Sequence, residues 1–183
     1  MSSYITTYTR KQFDPLDPKP EDLNMEDIAH ALSLLCRGNG HVTTFWSVGQ
    51  HCICCAKEAE ERGLSERIIL ACLLHDASEC YMSDVPRPFK QTMTEYIRQE
   101  EKLLSVIYTK FLGSDLTEEE QEQVKKIDDD LLWYDLVHLL DMTPERTAPK
   151  LHTAINYTVQ PFENVEQEYL GLYRKHREMS GRQ

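Results

Sequence analysis

Residues 68–90 read IILACLLHDASECYMSDVPRPFK, and the change of character at residue 75 organises the reading of the whole chain. The stretch before it, residues 68–74, is apolar throughout. Ile68, Ile69, Cys72 and Leu73 fall on one helical face, and Ser65 stands where a helix cap belongs. Then comes the adjacent pair His75–Asp76. A polar pair directly after such a run costs free energy to bury unless it is paired or bound to something. The spacing alone leaves two readings open: a helix end reaching solvent, or part of a metal site. Further on, Asp84-Val85-Pro86-Arg87-Pro88 reads as a loop, because two prolines remove backbone donors and restrict the residues before them.

Outward from this stretch the chain keeps a helical rhythm. A helix is expected from near Ser47 to Gly63. An earlier one carries MEDIAHALSLLCR, capped by Asn24 with Glu26 and Asp27 in its first turn and broken at Gly38-Asn39-Gly40. Tyr4 to Thr9 alternates β-branched and aromatic residues, the pattern of a short strand and a small N-terminal β-hairpin, and the proline-rich FDPLDPKPED follows it. On the other side, Thr94 to Phe111 has an apolar stripe and stops at Gly113. Thr117 with Glu120 forms a capping box opening a helix that runs to about Leu140. Pro161 or Asn164 starts a last helix, about 161–178, whose charged tail RKHREMSGRQ is expected to fray. No repeat and no low-complexity tract interrupts the chain. The fold class is all-α, a helical bundle in a single domain over residues 1–183.

Charge narrows the partners. With 20 Lys and Arg against 31 Asp and Glu, the net charge of -11 argues against long nucleic acid or an anionic membrane, both polyanions. A small phosphorylated ligand needs only one or two local cations and stays compatible. No stretch reaches the length of a membrane span, and MSSYITTYTRKQFDP lacks a signal-peptide apolar region. The six cysteines, at 36, 52, 54, 55, 72 and 80, fall partly inside apolar helical patterns, as reduced thiols do, so a cytoplasmic location is expected.

Two further features bear on His75–Asp76. His51 opens the second expected helix, directly after SVGQ, and Asp128-Asp129-Asp130 forms an acidic run inside an otherwise apolar helix. Consecutive residues on a helix point about 100° apart, so one of the three carboxylates can face the core while the others stay solvated. The run is equally compatible with a wholly wet face. Cys52, Cys54 and Cys55 beside His51 do not read as a zinc knuckle, because CxCC on a helix scatters its sulfurs around the axis.

His51, then His75-Asp76, then an Asp in a late helix resembles the H…HD…D signature of the HD-domain metal-dependent phosphohydrolases. HDASE followed by SDVPRPFK, with SVGQH around the first histidine, is similar to the HD-superfamily nucleotidases that remove the 5′-phosphate from deoxynucleoside monophosphates. The likeness runs from about Arg37 to Asp135. It implies an HD-domain helical bundle, commonly a homodimer, acting on a small nucleotide. It implies His51, His75, Asp76 and Asp128 as ligands of a divalent metal, with Asp128 chosen over Asp129 because KKID followed by a leucine pair matches the family pattern. Two imidazoles and two carboxylates suit Mn²⁺, Co²⁺, Fe²⁺, Zn²⁺ or Ni²⁺ better than Ca²⁺. The resemblance gives Glu79 an acid/base role and places Asp84 near the substrate sugar or the catalytic water. Arg37 and Lys90 are the candidate cations for a dianionic phosphate, and Trp46 is a candidate to stack on a base. Two alternatives stand beside this reading: hydrolysis of another nucleotide (triphosphate, cyclic or signalling), and a non-catalytic metal-binding scaffold.

Overall fold

A computed structural model describes residues 4–180. The elements in chain order are β1 (Ile5–Thr6), β2 (Gln12–Phe13), α1 (Met25–Leu34), α2 (Val48–Glu61), α3 (Glu66–Leu74), α4 (Glu79–Met82), α5 (Arg87–Lys90), α6 (Thr94–Leu112), α7 (Glu118–Leu140) and α8 (Phe162–Ser180). The architecture is a multi-helix bundle with a two-stranded antiparallel hairpin at its start, Ile5 opposite Phe13 and Thr6 opposite Gln12. Among the described residues no helix is long and apolar enough to cross a membrane.

The apolar run at 68–74 becomes the central helix. All of Ile68 to Leu74 is buried, not one face alone, because α2, α6, α7 and α8 all pack against α3. A helix apolar on every side is stable only when surrounded in this way. Its C-terminal carbonyls, which have no partner within the helix, are taken up one by one. Cys72 O lies 2.8 Å from His75 Nδ1, Leu73 O accepts from the Tyr169 hydroxyl at 2.6 Å, and Leu74 O accepts from the Ala77 N–H at 2.9 Å. The apolar run of α3 therefore gives way to polar residues at His75, and α8 braces that end.

Local signals place the other helix starts. Asn24 Oδ1 accepts from the Glu26 N–H, and Ser47 with Gln50 and Thr117 with Glu120 form reciprocal capping boxes. Gly49 lies where α2 crosses α1: a Cβ there would meet the Leu32 carbonyl carbon and oxygen and the Ser33 nitrogen at 3.2 Å. A side chain there would push α2, which carries His51, away from α1 by a few tenths of an ångström.

Three expectations change. The first helix ends at Leu34, because Leu35 and Cys36 run extended beside the residues that lead into α2, with Cys36 bridged to Ser47 and the Arg37 N–H donating to Trp46 O at 2.9 Å. The loop at 84–88 is partly helical: Pro88 sits in the first turn of α5, where its missing donor costs nothing. The tail expected to fray stays helical to Ser180, since His176 pairs with Glu66, Lys175 with Glu60, and Arg177 donates to Phe111 O. Residues 181–183 of that tail lie outside the described residues.

Candidate functional site

Three elements bring ligand-type side chains together. His51 stands in the first turn of α2, His75 and Asp76 follow the end of α3, and α7 contributes Asp128 and Asp135, seven residues and therefore two turns apart on one face. Arg37 reaches in from the segment between α1 and α2.

Hydrogen bonds fix which ring nitrogens face inward. A carbonyl oxygen only accepts, so the 2.8 Å contact of His75 Nδ1 with Cys72 O puts the proton on Nδ1. His51 Nδ1 likewise donates to Asp135 Oδ2 at 2.8 Å. In their neutral forms both rings then offer the Nε2 lone pair to the interior. His51 Nε2 meets Asp128 Oδ1 at 3.1 Å. His75 Nε2, buried and without a hydrogen bond, has Asp76 Oδ2 at 3.3 Å and Asp128 Oδ1 at 3.7 Å. Lone pairs turned on carboxylates repel unless a cation, a proton or a metal ion, lies between them. Ligands at right angles around an ion with bonds of about 2.1 Å lie about 3.0 Å apart, close to the His51–Asp128 separation. The donor set thus fits a divalent cation, with His51, His75, Asp76 and Asp128 able to hold it.

The electrostatics have the same origin. Burial pulls the His75 imidazole down, yet Asp76, Cys52 and Asp128 together hold its pKa well above the usual value. Burial and Arg37 lower His51, and Asp135 and Asp128 outweigh them. The carboxyls respond in the opposite sense: burial opposes their charge, but the two imidazoles hold Asp128 well below the usual range, and His75 does so for Asp76.

The acidic run resolves in three directions. Asp128 turns to the histidines, Asp129 pairs with Lys125 at 2.6 Å, and Asp130 is buried against Arg62 at 3.0 Å. The expectation of two solvated carboxylates therefore fails for Asp130, which Arg62 and Lys126 neutralise.

Asp76 and Asp128 form a divide between two cavities. One, of about 770 Å³, is lined by Arg37, Glu79, Asp84, Lys90 and a leucine wall from α7 including Leu132 and Leu136. The other, of about 500 Å³, includes Leu104, Ser105 and Tyr108. Glu79 is buried, and its Oε2 has no hydrogen-bond partner. Burial first, then the Asp76 and Asp84 charges, push its pKa well above the usual value. Asp84 accepts from the Gly38 N–H at 3.1 Å, which fastens a left-handed turn (Gly38 φ 59°, Asn39 φ 53°) beside Arg37. Arg37 donates from Nη1 to Asp76 at 3.3 Å, and its Nε lies 3.2 Å from Asp135 Oδ2. Lys90 pairs with Glu100. Trp46 lies apart from the larger cavity, buried against Tyr157 with ring centroids 4.8 Å apart.

Two kinds of residue escaped the sequence reading. Asp135 is the carboxylate that orients His51, and it also accepts from the Tyr157 hydroxyl at 2.9 Å. Its signal was available: a lone acid in LLWYDLVHLL, two turns after Asp128. The three cysteines of CxCC also divide: Cys55 shares the His51 face, Cys52 reaches His75 and Asp76, and Cys54 lines a separate cleft. Cys55 Sγ lies 3.5 Å from His51 Nε2. The sets His51–Cys55–His75 and Cys52–His75–Asp76 each have ligand atoms within 4.8 Å of one another. The site is a small, largely buried His/Cys/Asp cluster with the capacity to bind metal.

No family model matches the chain. It is 37% identical over 109 residues to the uncharacterized protein YfdR of Escherichia coli (strain K12), covering 60% of this chain and 58% of that protein. It is 36% identical over 107 residues to an uncharacterized protein of Rhodobacter capsulatus, covering 55% of this chain and 54% of that one. The chain spans little more than half the length of these curated relatives.

Proposed function

We propose that this chain is a metal-dependent phosphohydrolase of the HD-domain type, removing the 5′-phosphate from (deoxy)nucleoside monophosphates. The observation that carries the reading is the pair of inward-facing Nε2 atoms, one from His51 and one from His75, set against Asp128 and Asp76, two carboxylates that also line the cavity holding Arg37 and Lys90. When bound, a divalent ion at these four residues would acidify water and offset charge on phosphoryl oxygens.

The remaining chemistry belongs to the chain. Arg37, fixed between Asp76 and Asp135, presents its guanidinium to the cavity, and a guanidinium matches phosphate geometry. Hydrolysis breaks the P–O5′ bond, and the departing oxygen needs a proton. Glu79, kept protonated by burial and by neighbouring carboxylates, supplies it. The leucine wall of α7 excludes water and packs on the nucleoside, and Asp84 holds the turn that carries Arg37.

A second substrate class has its own support. Asp76 and Asp128 line cavities on both sides, which leaves room for a phosphorus carrying groups on both sides, as in a triphosphate or a cyclic nucleotide. One experiment separates these: metal analysis of the purified protein, with a phosphate-release screen across mono-, di-, tri- and cyclic nucleotides. Monophosphate turnover that is abolished by chelator, by His75→Ala and by Asp76→Ala is the expected result. Release from no nucleotide at all, in protein loaded with Mn²⁺ or Co²⁺, would overturn the proposal and leave the metal-binding scaffold.

A further inference from the structure

The cluster contains two thiols that a phosphohydrolase reading does not use, Cys52 and Cys55, and Cys55 is the one that meets both imidazoles. Cys55 lies four residues after His51 on α2, so the two side chains stack on one face, and both are buried. Its sulfur is 3.5 Å from His51 Nε2, on a different contact from the 3.1 Å approach of Asp128 Oδ1 to the same nitrogen. His75 completes a set of three ligand atoms within 4.8 Å of one another. Its Nε2 is the buried atom that lacks a hydrogen-bond partner. In a tetrahedral site with bonds of about 2.0 Å to nitrogen and about 2.3 Å to sulfur, the N···S edge is about 3.5 Å. The observed separation already has that length.

We propose that His51, Cys55 and His75 form a second, softer ligand set that takes a thiophilic divalent cation, Zn²⁺ or Cd²⁺, in competition with the carboxylate-rich set. The two sets share both imidazoles, so one ion excludes the other. Both sets offer the same imidazoles, so the third donor decides: thiolate selects the softer ion and carboxylate the harder. Binding breaks the S–H bond of Cys55, sends that proton to solvent, and forms the metal–sulfur bond. Cys54 takes no part: it lines a separate cleft with Lys57 and Thr153. This inference rests on the reading of the two imidazoles as metal ligands, not on the substrate.

The test uses the full chain, freed of metal by a chelator and titrated with Cd²⁺ while the thiolate-to-cadmium charge-transfer absorption is followed. Mn²⁺ binding is followed separately by electron paramagnetic resonance. The wild type is expected to develop the band with one tight equivalent of Cd²⁺. Cys55→Ser should lose it and bind Cd²⁺ more than about tenfold more weakly, since even an outer-shell partner is worth that much. Its Mn²⁺ affinity should stay within a factor of about two, well under that same outer-shell effect. Cys54→Ser should behave as wild type. A band that survives Cys55→Ser, or that is lost in Cys52→Ser or Cys54→Ser instead, overturns the proposal. Cadmium NMR of the wild type decides the matter without a variant: a resonance in the range of nitrogen and oxygen ligands alone overturns it. Failure of these Cd²⁺ outcomes with Mn²⁺ still bound removes only the soft set. A wild type that binds neither ion removes the metal centre itself.

Discussion

His51 Nδ1 donates to Asp135 Oδ2 at 2.8 Å, and this bond sets the direction of the other ring nitrogen. Without it, either tautomer is available and Nε2 has no reason to offer a lone pair to Asp128. Burial opposes the Asp135 charge, but His51, Arg37 and Tyr157 hold its carboxyl below the usual range. Asp135→Asn keeps the shape and removes the charge. It should lower Mn²⁺ affinity roughly 10–100-fold, the usual cost of losing an outer-shell partner. Isothermal titration checks this, and an affinity equal to wild type would show that Asp135 does not orient the site.

Proton and metal compete for the same nitrogens, which gives a pH signature. His51 and His75 have folded pKa values raised above 6.5 in the metal-free protein. Their contribution to stability is therefore complete below about pH 6.5 and is lost as pH rises through the folded values. A bound ion replaces those protons, so it should stabilise more as pH rises over the same window. Thermal melts with Mn²⁺ and with chelator, taken at several pH values, should show a gap that widens above about pH 6.5. A gap independent of pH would mean that the ion binds elsewhere.

The acidic run yields a prediction for each member. Asp129 makes exposed pairs, so Asp129→Ala should cost about 0–1 kcal/mol and leave metal binding intact. Asp130 is buried against Arg62, which keeps Glu58 as a partner, so Asp130→Ala should cost about 1–3 kcal/mol without metal loss. Asp128→Ala should abolish tight Mn²⁺ binding while the helices remain by circular dichroism. Urea denaturation and metal titration of the three variants decide among them; metal loss in Asp129→Ala would move the ligand by one residue.

What could be read from the chain was mostly local. The starts of α2, α3 and α7 follow from caps that involve residues a few positions apart, and the sequence carries those directly. The helical tail of α8 is held by Glu60, Glu66 and the Phe111 carbonyl, partners remote in sequence, so its charged composition alone suggested fraying. The divergence of Asp128, Asp129 and Asp130 follows from the helical repeat, but which of the other two meets the half-buried Arg62 depends on the packing of α2 against α7. Trp46 shows the same limit: aromatic character next to a helix start does not say which side of the chain it faces. Cys55 was missed for another reason. The CxCC pattern reads as one scattered group, although a spacing of four from His51 places Cys55 on its face.

Glu79 gives the sharpest separation of stability from chemistry. Burial first, with Asp76 and Asp84, raises its folded pKa well above the unfolded value of about 4.5. The folded state then holds more protons than the unfolded one between those two values, so stability falls as pH rises through that window. Glu79→Gln removes the titration while keeping the shape. Relative to wild type the variant should gain stability progressively as pH rises from a value near the unfolded pKa of about 4.5 to one well above it. In the proposed reaction it should lose about 10²–10⁴-fold in rate, the usual worth of general acid catalysis, with Mn²⁺ affinity unchanged. Urea denaturation at the two pH values tests the first half, and single-turnover phosphate release tests the second. A stability difference that stays constant with pH would mean that Glu79 is ionised in the fold, and a carboxylate already ionised has no proton to give the leaving oxygen.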